Sequence, residues 1–273
     1  MLNRTKDKAI GEALDISNAI PKTSDFSILG TDDYSKIKNS KIIIITASVG
    51  VYLKNRNEMI GAQVKMIKEI GKKIKSTCDS PVVLIISNPV DVLTYYFLKE
   101  TNFPRNQVIG IASSLDSARF RYFLSEQTGV KQSQLSEALV LGEHGDSMVP
   151  IFSTVKINGK NVLEIINSNE KIEISRKTRD YWKSLRNFKS RSQFGISKHT
   201  FDVIESINQK KSLLIPASVL LEGEYEEKDV CMGVPITINS QGMKEIKNMK
   251  IDKSEKDMLK LSASTIRKNI KSI

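Results

Sequence analysis

Between residues 41 and 111 the chain alternates short, unbroken apolar runs with longer stretches whose apolar residues recur every three or four positions. The runs are Lys41-Ile42-Ile43-Ile44-Ile45-Thr46-Ala47, Pro81-Val82-Val83-Leu84-Ile85-Ile86-Ser87 and Val108-Ile109-Gly110-Ile111. The clearest periodic stretch is 56–78, with Ile60, Val64, Ile67, Ile70 and Ile74 on one stripe. A continuous apolar run suits a strand buried on both faces, and a stripe at helical spacing suits a helix laid against a sheet. Strands separated by helices are joined by crossovers, so this order of elements predicts a parallel α/β sheet.

The same reading predicts a helix over 6–19, a short strand over 26–29, one helical turn at 34–37, buried strands over 41–47 and 81–87, and a helix near 90–99. Beyond residue 115 the pattern changes. A helix is expected near 116–128, a strand running into His144, another strand near 152–157, and helices near 171–187 and 197–210. Strands over 213–221 and 234–238 and a closing helix at 253–271 complete the chain. The change of pattern divides it into residues 1–114 and residues 115–273.

Composition narrows the function. At 273 residues, 40% hydrophobic and 27% charged, the chain has the balance of an ordinary globular protein long enough for two domains. No apolar stretch reaches the ~18 residues that span a bilayer, and the opening Met1-Leu2-Asn3-Arg4-Thr5 does not read as a signal peptide. The only cysteines, Cys78 and Cys231, lack metal-ligand spacing, so free thiols and a cytoplasmic location are expected. The net charge of +11 comes from dispersed lysines such as Lys65, Lys68, Lys72, Lys73 and Lys75, and aromatics are 6% of the chain. A solvated basic surface is therefore expected, with no nucleic-acid partner and no membrane partner.

Three motifs carry chemistry. Gly142-Glu143-His144-Gly145-Asp146-Ser147 follows the apolar Ala138-Leu139-Val140-Leu141, so a strand delivers one of only two histidines into a glycine-flanked loop. Imidazole exchanges protons near neutral pH, and glycine lets a ligand approach the backbone. Leu115-Asp116-Ser117-Ala118-Arg119-Phe120 places a carboxylate and a guanidinium three residues apart on one helical face. Taken alone, that pair reads first as a surface ion pair worth a few tenths of a kcal/mol. Alongside a histidine, the carboxylate can instead orient the imidazole and the guanidinium can grip a substrate carboxylate. Ser87-Asn88-Pro89-Val90-Asp91 ends a buried strand, where open α/β sheets bind ligands. The Gly-x-Ser-x-Gly elbow of hydrolases and the His-Glu-x-x-His pattern of zinc sites are both absent, so no metal is expected. His199 reads as a helix-surface residue.

With Gly11-Glu12-Ala13-Leu14-Asp15, Ile44-Ile45-Thr46-Ala47 and Asp229-Val230-Cys231-Met232-Gly233-Val234-Pro235, these motifs make six in order. On them the chain resembles the lactate/malate dehydrogenase family nearly end to end, and most closely its archaeal malate dehydrogenase-like members. The resemblance implies a Rossmann-type doubly wound parallel sheet followed by an α+β substrate-binding domain. It implies hydride transfer between NAD or NADP and a small 2-hydroxy acid, (S)-malate/oxaloacetate first, with L-lactate or a branched 2-hydroxy acid as alternatives. His144 is then the proton carrier and Asp116 its partner. Arg119 binds the substrate carboxylate, Arg56 is the mobile-loop arginine, Asn88 meets the reacting oxygen, and Ser192 lines the pocket. Asn3, Arg4, Thr46, Ala47, Ser87 and Asn88 fall on the cofactor side, and a homodimer or homotetramer is implied.

Two departures stand out. The family opens with a strand, a Gly-x-Gly-x-x-Gly turn and a second strand ending in an acidic residue, whereas here Met1-Leu2-Asn3-Arg4-Thr5 matches the end of that second strand. The expectation is an N-terminally truncated nucleotide-binding half with a gap in its sheet, weak dinucleotide binding and a poorly stable fold. The competing reading from another class is an inactive remnant acting as an oligomerisation or binding module. Asn3 and Arg4 in place of the acidic residue remove a repulsion for a 2′-phosphate and favour NADP. The family's malate-specifying arginine also has no counterpart near Gly50, which leaves Lys54 or Arg191 to supply charge, or an apolar pocket formed by Val51, Tyr52 and Leu53.

Overall fold

A computed structural model describes residues 1–50, 56–190 and 192–273, with side chains at all of these except 56–58. Helix α1 (Lys6–Ser17) and a 3-10 turn at Tyr34–Ile37 precede β1 (Ile42–Ile45), α2 (Arg56–Thr77), β2 (Val82–Ile85), α3 (Val90–Thr101) and β3 (Val108–Gly110). Next come α4 (Ser113–Thr128), β4 (Leu135–Ser136), β5 (Leu139–Leu141), β6 (Val149–Ile151), β7 (Lys156–Ile157), β8 (Lys160–Asn161) and α5 (Ser168–Arg186). The chain ends with α6 (Phe194–Gln209), β9 (Leu213–Glu222), β10 (Lys228–Asn239), β11 (Gly242–Ile246) and α7 (Lys253–Lys271).

One six-stranded sheet runs β1-β2-β3-β9-β10-β11. Strands β1, β2 and β3 are parallel, as the alternation predicts. The long strands of the second half do not form a sheet of their own. They extend the first one antiparallel, through the pairing of Gly110 with Ser218. Glycine is required at that join, because a Cβ on Gly110 would lie 2.6 Å from Thr94 Oγ1 and 2.9 Å from Ser218 Cβ.

Helices cover both faces of the sheet. Ile60, Val64, Ile67 and Ile74 of α2 and Leu93 and Phe97 of α3 pack on Val83, Ile85 and Val108. The opposite face buries Leu84, Ile109, Ala217, Met232 and Val234 under Val203 and Ile207 of α6 and Ala263 and Ile266 of α7. A third cluster joins Phe120 and Leu124 of α4 to Val140, Phe152, Val155 and Ile174, and it supports the β5–β6 hairpin. The architecture is Rossmann-type α/β with an α+β second half.

The differences from expectation have physical causes. Residues 26–29 are not a strand; Phe26 and Leu29 are exposed, and among the described residues the nearby strand-like pairing is a lone parallel bridge between Thr31 and Leu2. Strand β1 is not fully buried. Its partner is β2 alone among the described residues, so Ile44 remains 43% exposed. The strand expected near 152–157 is split, because Phe152 turns the chain between β6 and β7 through a Val155 N–H bond to its carbonyl.

Candidate active site

His144 sits just beyond β5, whose residues Leu139, Val140 and Leu141 pair with Ile151, Pro150 and Val149 of β6. Three consecutive backbone amides of the loop are each held by a different element. Gly142 N–H donates to the Gly233 carbonyl on β10 at 2.8 Å, and Gly233 returns the bond. Glu143 N–H donates to Ser262 Oγ on α7 at 2.7 Å. His144 N–H donates to Asp91 Oδ2 on α3 at 2.8 Å. Gly142 has φ +84°, and a Cβ there would lie 2.5 Å from Ser262 Oγ, so the loop start admits only glycine comfortably.

Asp116 lies in the first turn of α4, where the helix dipole favours a negative charge. Ser117 fixes that helix to the hairpin by accepting a hydrogen bond from Val140 N–H at 2.8 Å. The Asp116 carboxylate uses both oxygens. Oδ2 is 2.6 Å from His144 Nδ1, and Oδ1 accepts from Arg119 Nη1 at 2.8 Å. Asp116 is 1% exposed and Arg119 9%, so the pair is a buried ionic unit rather than a surface ion pair. The Arg119 guanidinium stacks over the Tyr181 ring of α5 at 4.7 Å, and its buried Nε finds no partner among the described residues. The His144 side chain keeps 20% of its surface open.

This arrangement governs proton affinity. Burial of the imidazole opposes its charging, but the Asp116 charge and hydrogen bond, with a further contribution from Asp91, outweigh that. His144 therefore titrates above its ordinary value of 6.5. Asp91 is pushed up to about 6, chiefly by burial, against the Ser218 and His144 hydrogen bonds that favour its ionised form. His199, on α6, is half-buried rather than on the surface, and burial lowers its proton affinity.

The remaining sequence-predicted residues are distributed around this unit. Asn88 is exposed just past the carboxyl end of β2, and Thr46 is exposed past the end of the adjacent parallel strand β1. Ser87 Oγ donates to the Ala47 carbonyl at 2.6 Å, which ties those two strand ends together. Asn3 and Arg4 are exposed, and Asn3 Oδ1 accepts from Thr5 N–H at 2.9 Å. Ser192 is half-buried ahead of α6, and no hydrogen bond joins it to His144 among the described residues. Arg56 opens α2, with its side chain outside the described residues, as are Val51, Tyr52, Leu53, Lys54 and Arg191. The sequence reading gave no role to Asp91, Tyr181 or Ser262. Asp91 was visible within Asn88-Pro89-Val90-Asp91, but Tyr181 and Ser262 reach the site only through tertiary packing.

Residues 1–110 match the family model of the lactate/malate dehydrogenase NAD binding domain, and residues 113–273 match that of the lactate/malate dehydrogenase alpha/beta C-terminal domain. A malate dehydrogenase of Sorangium cellulosum is 34% identical over 95% of this chain and 84% of its own length. The structure of the malate dehydrogenase from Aeropyrum pernix superposes with a TM-score of 0.91 at 29% identity, covering 99% of this chain and 88% of that one. The lactate dehydrogenase of Cryptosporidium parvum, solved with lactic acid and nicotinamide adenine dinucleotide, gives 0.93 at 30% identity over 99% and 88%. The chain belongs to the lactate/malate dehydrogenase family.

Proposed function

We propose that this chain is an oxidoreductase that transfers a hydride between a nicotinamide dinucleotide and the 2-carbon of a small 2-hydroxy acid, with (S)-malate/oxaloacetate as the first substrate. The observation that carries this reading is the single carboxylate of Asp116 holding His144 Nδ1 at 2.6 Å and Arg119 Nη1 at 2.8 Å. One group thereby fixes a proton carrier and a carboxylate clamp relative to each other.

Among the described residues the cofactor fit is one-sided. The carboxyl ends of β1 and β2, where Thr46 and Asn88 are exposed beside half-buried Ala47 and buried Ser87, suit the nicotinamide end. The sequence contains no Gly-x-Gly-x-x-Gly, so no residue is assigned to the pyrophosphate. When bound, the dinucleotide supplies or accepts the hydride. In reduction, imidazolium His144 donates the Nε2 proton to the oxygen that becomes the hydroxyl, and Asp116 stabilises the imidazolium before transfer. In oxidation, neutral His144 removes that proton. Arg119 grips the substrate carboxylate, Asn88 hydrogen-bonds the reacting oxygen, Arg56 polarises it, and Ser192 lines the pocket.

The boundary between nucleotide and substrate halves falls at residue 114 in this reading, at the start of α4. Exposed Ile10 and Leu14 on α1, and Phe194 and Phe201 on α6, support a homodimer or homotetramer. The free cysteines Cys78 and Cys231 are buried and reduced, in keeping with a cytoplasmic setting. Exposed Arg4 and the amide of Asn3 favour acceptance of NADP besides NAD, and Arg4→Ala should then weaken NADP alone.

A steady-state panel of oxaloacetate, pyruvate and branched 2-oxo acids with NADH and NADPH tests the reading. Oxaloacetate is expected to be reduced best. If it is the poorest acid, the malate assignment fails and the lactate-type alternative takes its place; if none is reduced, the enzyme assignment fails.

A further inference from the structure

Asp91 takes no part in the proton and hydride steps above, and it is 3% exposed. It lies in the first turn of α3, three residues beyond Asn88. Oδ2 accepts the His144 amide at 2.8 Å, and Oδ1 accepts Ser218 Oγ of β9 at 2.6 Å. A neutral amide could accept the same backbone bond at far lower desolvation cost. A buried carboxylate at this spot adds a negative charge 2.8 Å from the His144 amide, on the residue that carries the imidazole. We propose that Asp91 is a positioning residue for His144, locking its backbone with a hydrogen bond and favouring its imidazolium form with a buried charge.

The surroundings support an electrostatic part in addition to a packing part. The groups facing Asp91 are Glu143 and His144 from the loop, Ser218 from β9 and Cys231 from β10. His144 is the only one of these that can carry a positive charge. Around the ring itself the charges are Asp116 and Arg119 from α4, which are of opposite sign and bonded to each other, so their fields partly cancel. Asp91 adds to the negative field that the nearer Asp116 carboxylate sets up. Its bond to the loop also couples two site residues: the α3 turn that presents Asn88 is tied directly to the backbone that presents His144. Thr94 and Val90 of the same helix crowd Gly110 of β3, which leaves α3 little room to shift.

The inference rests on the proton-carrying role of His144 given above, but it can be read without turnover. The chain has two histidines, and His199→Gln leaves the His144 ring as a single imidazole signal for nitrogen-15 NMR titration of the full chain. In that background Asp91→Asn, which keeps an acceptor for the His144 amide, is expected to lower the His144 midpoint by about one pH unit. Ser218→Ala leaves the charge but removes a bond that favours it, so a smaller shift in the same direction is expected. An unchanged midpoint in a folded Asp91→Asn chain overturns the proposal. If that variant does not fold, an unchanged midpoint in Ser218→Ala overturns it instead. The pH profile of 2-oxo acid reduction is expected to move in parallel. Absence of any 2-oxo acid reduction would count against the enzyme reading, while the NMR midpoint still decides the role of Asp91.

Discussion

The loop around His144 and the first forty residues of the chain are held in opposite ways. The loop has three successive amides bonded to β10, α7 and α3, and its histidine ring is bonded to α4. The N-terminal region buries only Ala9 and Ala13 from α1, leaves Leu14 64% and Phe26 78% exposed, and joins Leu2 to Thr31 by a single bridge. The contrast shows where this fold invests its specificity. The residues proposed for proton and carboxylate chemistry between 87 and 262 constrain one another, whereas the nucleotide-side periphery contributes few interior contacts.

The largest effect in that comparison is expected from His144→Asn. It should cut turnover by at least ~100-fold while circular dichroism and the unfolding transition stay close to those of the parent. Near-normal turnover would remove His144 from the mechanism. Arg119→Lys comes next. Lysine cannot make the two-pronged grip, so KM for the 2-oxo acid is expected to rise about tenfold or more, with a smaller change in kcat. An unchanged KM would place substrate binding elsewhere.

A stability comparison sets the two regions against each other with the same substitution. Gly142→Ala must take a left-handed φ and meet Ser262, so urea unfolding is expected to show a loss of about 2–4 kcal/mol. Gly11→Ala lies inside α1 with nothing within 4 Å of the added methyl, and should stabilise by about 0.5–1 kcal/mol. Equal costs at both positions would erase the distinction between a clamped loop and a loosely packed periphery.

Much of this was legible in the sequence, for identifiable reasons. The isoleucine stripe of residues 60–74 and the continuous run at 81–87 announce a helix and a buried strand, because period and composition are local properties. Asp116 and Arg119 share a helical face by spacing alone, and the strand entering His144 is plain from Ala138 to Leu141. That Asp116 is buried is not local. It follows from Ser117 reaching Val140 and from Tyr181 covering Arg119, contacts between segments far apart in sequence. The exposure of Ile44 was illegible for the same reason, since an all-isoleucine strand reads as buried whatever its sheet position. Residues 26–29 looked like a strand because apolar composition does not reveal whether a pairing partner exists.

The central claim is that His144 carries the proton and that Asp116 holds it charged. A histidine whose folded-state value is raised contributes stability that is complete below its unfolded value of about 6.5 and is lost as pH rises through the folded value. The imidazolium needed for reduction disappears over that same upper range. The decisive measurement is kcat/KM against pH in both directions, for the parent and for Asp116→Asn. The account predicts that 2-oxo acid reduction falls and 2-hydroxy acid oxidation rises around one shared midpoint above 6.5, and that Asp116→Asn moves both limbs to lower pH. A reduction profile that breaks at or below 6.5, or limbs that stay in place in Asp116→Asn, would contradict it.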